Sequence, residues 1–233
     1  MRMKESTNLF FMGKGGVGKS TSAALISVFL AQKACKVLLV SLDPAHNQSD
    51  IFERELSDKP LEIMPNLLAI EVNQELWIRR YLKNVHQQII KTYCYLTAFN
   101  LEKYFAVIKH SPGLEEYALI LAFEDIRKNF SHFDYLVFDM PPTALSLKFF
   151  SLPSLSLIWI EHLFALRREI IEKRELITKV KLLNKEFERD KVLNKIEAQR
   201  EQYLNLKKIF ENNLETHVFL VLNPNKLPYT ESI

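Results

Sequence analysis

The chain has 233 residues, 48% of them hydrophobic, and 31 Lys and Arg against 28 Asp and Glu give a net charge of +3. That is enough apolar mass for one α/β core with an appendage, or for two small domains. It is too little positive charge, with no basic tail, for nucleic acid to be the expected main partner. The start MRMKESTNLFF has neither a long apolar run nor a small-residue cleavage site, so no secretory leader is expected. Cys35 and Cys94 lie far apart without metal-ligand spacing, which supports neither a disulfide nor a zinc site. Together these predict a reducing, cytoplasmic setting.

The first apolar run, residues 9–12, predicts a strand, and residues 20–32 predict a helix. Between them lies GKGGVGKS, which with Gly113 holds every glycine of the chain. Strand, glycine loop, helix is the context that makes G-x-x-x-x-G-K-[ST] a phosphate-binding loop rather than a chance match. The matching residues are Gly13, Gly18, Lys19 and Ser20. The loop amides and the helix N-terminus would face anionic oxygens. Lys19 would reach the β- and γ-phosphates, Ser20 would ligate Mg²⁺, and Thr21 would bond a further phosphate oxygen.

An ordinary phosphate loop does not need a lysine directly after its first glycine, where Lys14 stands. Lys14 and Lys19 can hardly serve one phosphate from the same side. Two readings stay open: a solvated loop lysine, or a cation delivered to a nucleotide in a second subunit, as an arginine finger is.

Further short runs rich in Val, Leu, Ile or Phe predict buried parallel strands at residues 36–42, 67–72, 135–139 and 217–222. Ala23, Ala24 and Ser27 would let the first helix pack closely on the sheet. This alternation predicts a doubly wound, mostly parallel α/β fold, with ligands at the carboxyl ends of the strands. Asp43 leaves the second strand where a γ-phosphate would lie and is a candidate for orienting an attacking water. Pro44 turns the chain. Ser49 or Asp50 reads as a helix cap, and His46 as a hydrogen-bonding loop residue. Asp139 ends the run FDYLVFD, the Walker-B pattern, whose carboxylate holds the Mg²⁺ shell. The loop that follows, MPPT, is placed to sense the γ-phosphate.

From residue 155 to residue 216 glycine and proline vanish and charges alternate. Residues 167–215 carry 13 Lys and Arg against 10 Asp and Glu, which leaves the rest of the chain neutral. Glu169–Lys173 and Glu175–Lys179 are i,i+4 pairs in the favourable order. Leu163, Phe164, Ile170, Ile171, Ile177, Leu182, Leu183, Phe187, Leu193 and Ile196 keep a helical period. One or two long helices are expected, carrying either a structural seam or a partner-binding surface. The most apolar window, residues 149–160, holds Pro153 and is closed by Lys148 and Glu161, too short to span a bilayer. Stable membrane insertion is not expected.

These motifs resemble a known family. GKGGVGKST resembles the deviant Walker-A loop of septum-positioning, partitioning and nitrogenase-iron-protein ATPases. DPAHNQSD resembles switch I of the ArsA/Get branch, the arsenite-pump and tail-anchored-protein targeting ATPases. FDMPPTALSLKFFSLP resembles that branch's switch II, and residues 111–116 and 223–231 are similar to two further segments of it. The resemblance implies a P-loop NTPase fold and an Mg²⁺-dependent ATPase working as a homodimer that ATP closes and hydrolysis reopens. The partner would be a membrane pump subunit or a hydrophobic membrane-protein client. Nucleotide-binding residues would be Gly13, Lys14, Gly15, Gly16, Val17, Gly18, Lys19, Ser20, Thr21 and Asn47. Lys14, acting across the dimer, and Asp43 would be catalytic, and Ser20 and Asp139 would serve the metal. Met140, Pro141, Ala144 and Leu145 stand where the branch usually has Thr, Ala, Gly and His. The chain also has no CxxC for a zinc-bridged dimer and no cysteine cluster for trivalent arsenic.

The expected organisation is a nucleotide-binding core over residues 1–153, a helical subdomain over 154–216 and a return strand over 217–233, with the C-terminal part of the family fold missing. Two other outcomes are a nucleotide-binding scaffold that no longer turns over and a partitioning-type ATPase.

Overall fold

A computed structural model describes residues 6–45, 47–92, 113–178 and 191–223. His46, Cys94, Ser111, Pro112, the Glu175–Lys179 pair, Ile177, Leu182, Leu183, Phe187 and residues 224–233 fall outside the described residues or side chains. The chain divides into two compact units, Met1–Phe149 with Leu214–Ile233, and Phe150–Asn213.

The first unit is built on a six-stranded sheet. Its strands are β1 (Thr7–Met12), β2 (Val37–Ser41), β3 (Leu61–Met64), β4 (Leu67–Glu71), β5 (Tyr135–Asp139) and β6 (Thr216–Leu220). They lie in the order β3-β4-β2-β5-β1-β6. All neighbours are parallel except β3 and β4. The helices of this unit are α1 (Lys19–Gln32), α2 (Asn47–Phe52), α3 (Gln74–Thr92), α4 (Leu114–Asn129) and the first turns of α5 (Thr143–Thr178).

The inner strands are uniformly apolar because both faces of the sheet are covered. Alternation along them sends side chains to opposite faces. Leu9, Phe11, Val37, Leu39 and Val137 join Ala23, Ala24 and Ala31 of α1 on one face. On the other, Phe10 stacks on Phe138 at 4.8 Å between ring centroids, and Phe123 of α4 and Phe149 of α5 close round them at 5.2–6.1 Å. All four rings are fully buried, each burial favouring the fold by about 2–3 kcal/mol.

Strand β3 is an addition to the sequence reading. It is half exposed and its four residues lack the apolar run that marks the inner strands. It forms because Asn66 accepts a left-handed φ of 67°, closing a tight turn between Met64 and Leu67.

Register brings the strand ends together. Phe11 and Ser41 both pair with Asp139, so the residues following β1 and β2 emerge beside the end of β5. Leu42 N donates to Asp139 O at 2.9 Å and Met140 N donates to Phe11 O at 3.1 Å, carrying the alignment one residue further.

The second unit contains the remainder of α5 and α6 (Lys191–Glu211). Within it, Arg200 Nε donates to Glu161 Oε1 at 2.6 Å and Phe150 meets Phe210 edge-on at 5.0 Å. The expected Glu169–Lys173 pair forms at 2.6 Å. The twelve-residue window closed by Lys148 and Glu161 lies inside a longer helix in the structure. Helix α5 runs through Pro153, giving up one backbone donor there. By length and composition Thr143–Lys173 is long and apolar enough to cross a membrane, with 17% of its most apolar window buried.

Candidate functional site

The loop after β1 is shaped by glycine at both ends. Gly13 has φ 155°, and a Cβ there would overlap the Val221 carbonyl oxygen. The overlap follows from β6 closing on β1, where Val221 N donates to Met12 O at 2.7 Å. Gly18 caps α1 in the left-handed region at φ 93°, which other residues adopt only with strain. Between them the chain wraps an open cleft of about 530 Å³.

Gly15, Gly16, Gly18, Lys19, Ser20 and Thr21 line this cleft from the loop and α1. Asp43 and Asn47 line it from the segment after β2, together with Ala45, Asp50 and Ile51, and Pro142 from the loop after β5. Gly13, Val17 and Lys14 do not line it: Gly13 is held against β6, and the Lys14 side chain stands exposed at the loop surface. Lys19 is 5% exposed, and its ammonium donates to Lys14 O at 3.2 Å. It is therefore already folded back over the loop, in the position to meet an anion inside it.

Asp43 is nearly buried, and its Oδ1 accepts from Ala45 N at 3.0 Å, an Asx turn that fixes the carboxylate at the cleft wall. Asn47 Nδ2 donates to Ser20 Oγ at 3.5 Å, linking the start of α2 to the first turn of α1.

Asp139 lies behind the cleft lining, fully buried at the end of β5. Desolvation by burial pushes its carboxyl above the usual value, opposed by the nearby Ser20 hydroxyl, the Gln48 hydrogen bond and the Lys19 charge and assisted by the Asp43 charge. Its Oδ1 is buried with no hydrogen-bond partner. A carboxylate oxygen so placed, with the Ser20 hydroxyl beside it, is the donor chemistry a hard cation such as Mg²⁺ takes. The residues present fit that ion.

Sequence reasoning did not single out Gln48 and Glu71. Gln48 is fully buried, and its Nε2 donates to Asp139 Oδ2 and to Ser20 O, each at 3.0 Å. Glu71, at the end of β4, accepts from Ser49 N at 2.9 Å and from Ser49 Oγ at 2.7 Å. Ser49 and Asp50 lie inside α2 rather than capping it, and Ser49 ties the helix to the sheet. Neither residue carried a signal: a lone glutamine in a polar run and a glutamate ending a strand are ordinary in sequence.

A phosphate loop, a carboxylate after β2 and a buried carboxylate at the end of β5 converge on one cleft. The sequence profile of the anion-transporting ATPase family matches residues 6–233. The chain belongs to that family. It is 30% identical over 227 residues to "Putative arsenical pump-driving ATPase 2" of Aquifex aeolicus, which covers 96% of this chain and 72% of that protein. To "Putative arsenical pump-driving ATPase 1" of the same organism it is 30% identical, covering 96% of this chain and 57% of the relative. The "ATPase ASNA1 homolog" of Plasmodium berghei is 29% identical over 245 residues, covering 99% of this chain and 59% of that protein. The chain thus spans between about half and three-quarters of the length of these relatives. The six-stranded, mostly parallel sheet with flanking helices is the P-loop NTPase architecture expected of a member.

Proposed function

We propose that the chain binds ATP with Mg²⁺ and hydrolyses it, working as a homodimeric switch read by a hydrophobic membrane-protein partner. The observation that carries the reading is the convergence of Lys19, Ser20, Asp43 and Asn47 on one cleft with Asp139 buried behind it. The triphosphate lies along the loop amides, and Lys19 exchanges the Lys14 carbonyl for phosphate oxygens. Ser20 and Asp139 would hold the metal. When bound, Mg²⁺ neutralises charge on the phosphate oxygens. Asp43 orients a water molecule for in-line attack on the γ-phosphorus. The bond from that phosphorus to the bridging oxygen breaks, giving ADP and inorganic phosphate. Lys14, exposed beside the cleft, supplies positive charge to the nucleotide of the second copy.

The helical unit supplies the output. Leu155, Trp159, Leu166 and Ile170 of α5 are 47–66% exposed and recur at helical spacing on one face, with Ile158 at its margin. An exposed apolar stripe of this kind suits a hydrophobic partner. Two outputs are open: driving a pump, which fits the name pump-driving ATPase of two relatives, and acting on a membrane-protein client, which fits the resemblance of DPAHNQSD to the targeting ATPases. Arsenite-stimulated turnover would favour the first, and ATP-dependent capture of a transmembrane segment the second.

Phosphate release by the wild type and by Asp43→Asn, with and without Mg²⁺, tests the reading. Mg²⁺-dependent turnover that falls about 100-fold or more in the variant, with ATP affinity retained, is the expected result. Wild-type protein that binds ATP without turning it over would make the chain a nucleotide-binding scaffold instead.

A further inference from the structure

Gln48 does something that the loop, Asp43 and Asp139 leave unassigned. It projects from α2 into the space between α1 and β5, with no exposed surface. Its two contacts, Ser20 O and Asp139 Oδ2, are both acceptors and both lie at 3.0 Å. Only the NH₂ end of the amide can satisfy them, which fixes its orientation without ambiguity. Both amide hydrogens are then used, one on each side of the metal-binding pair Ser20 and Asp139. Gln48 Oε1 is buried without a partner, and burying an unmatched polar atom costs stability. A leucine in this slot would avoid that cost, so packing alone does not explain a glutamine.

The contact also sorts the two oxygens of Asp139. Oδ2 is occupied by the amide, and Oδ1 is the buried oxygen left without a partner. We infer that Gln48 is a positioning residue: it holds Asp139 by Oδ2 so that Oδ1 is presented towards the metal beside Ser20, and it ties α2 to that metal site. Hydrogen-bond partners of metal-directed carboxylates orient the ligand and tune its affinity. Because α2 is anchored on its other side through Ser49 and Glu71, a change at the metal site reaches the segment that carries Asn47 and follows Asp43.

This inference rests on the nucleotide reading above, and the test separates the two. The affinity of the full chain for a fluorescent N-methylanthraniloyl-ADP is measured in Mg²⁺ and in excess chelator, for wild type and Gln48→Leu. The readout is the ratio of the two affinities. The expected result is a ratio reduced about tenfold in the variant, with chelator affinity unchanged and turnover not needed for the measurement. A purely structural role would lower both affinities together and leave the ratio intact, which overturns the inference while the nucleotide reading survives. Wild-type protein that fails to bind the probe in either condition overturns both. Should Gln48→Leu fail to fold, Gln48→Met, closer in shape to glutamine, is read by the same ratio.

Discussion

The Lys19 ammonium donates to the carbonyl of Lys14 at 3.2 Å, so one lysine of the loop is folded inward over the backbone of the other. Lys19 is buried while the Lys14 side chain is exposed. The two cations therefore face different surroundings, although only five positions separate them. Lys19→Ala is expected to weaken ATP binding roughly 10–100-fold, the loss of charge-assisted hydrogen bonds to phosphate. Lys14→Ala is expected to leave binding within about twofold and to lower turnover about 1,000-fold, as removal of a charge supplied in trans does. Light scattering with a non-hydrolysable ATP analogue adds the decisive readout: a dimer in the wild type that Lys14→Ala does not form. Equal losses of affinity in the two variants would contradict this division of labour.

Gly13 and Gly15 separate structural from functional glycine. A Cβ at Gly13 meets the Val221 carbonyl, and the backbone there is in the positive-φ region; at Gly15 nothing lies within 4 Å and φ is not positive. Gly13→Ala is expected to destabilise the fold by about 2 kcal/mol by forcing β1 and β6 apart at their ends. Gly15→Ala is expected to stay within about 0.5 kcal/mol of wild type while weakening nucleotide binding, because the new methyl group enters the cleft. Urea unfolding of both variants, paired with ADP titration, checks the contrast.

Five of the six strands are legible in the sequence from their apolar runs, although β6, expected to be buried, is an edge strand exposed from His217 to Leu220; position 13 reads as glycine-requiring from its motif. What the motif does not reveal is why: the close approach to Val221 depends on a strand more than 200 residues away. Helix α5 is legible only in part, since the long helices are expected only from residue 155, whereas α5 starts at Thr143 and runs through Pro153. Gln48 and Glu71 are silent in sequence because burial, not residue type, gives them their roles, and burial is decided by partners on other elements. The site is readable where the backbone binds and unreadable where side chains hold each other in place.

Asp139→Asn separates stability from function at the buried carboxylate. Burial raises its pKa, so ionisation in the folded state is disfavoured relative to the unfolded chain. The sign follows: between its ordinary value and the raised one the folded state holds more proton than the unfolded state, and stability falls as pH rises through that interval. An asparagine keeps the acceptor for Gln48 and removes the charge. The variant is expected to be more stable than wild type at neutral pH without metal, by about 1 kcal/mol, and to lose the Mg²⁺-dependent part of its ADP affinity. Thermal melts in chelator check the first half and ADP titration with Mg²⁺ the second. A variant less stable than wild type would show that Asp139 stabilises the fold by its charge.

Glu116 predicts an acid dependence of the opposite sign. Its side chain is almost wholly covered by the fold, and Lys148 Nζ, two-thirds exposed, donates to its Oε1 at 2.9 Å. Burial alone would raise the carboxyl's pKa, but the hydrogen bond and charge of Lys148, with a backbone hydrogen bond, outweigh it and hold the group below its usual value. A depressed carboxyl contributes stability that is present above its unfolded pKa and lost as pH falls through the folded one. The pair joins the first turn of α4 to the first turns of α5, both within the unit that carries the cleft. Lys148→Met is therefore expected to lower the melting temperature at pH 7, and the difference from wild type is expected to shrink below about pH 4.5 and vanish once Glu116 is protonated in both states. Melting curves of the two proteins from pH 7 down to pH 3 make the comparison. A difference that stays constant across that range would assign the effect to lysine packing over α4, because packing of the aliphatic stem does not titrate.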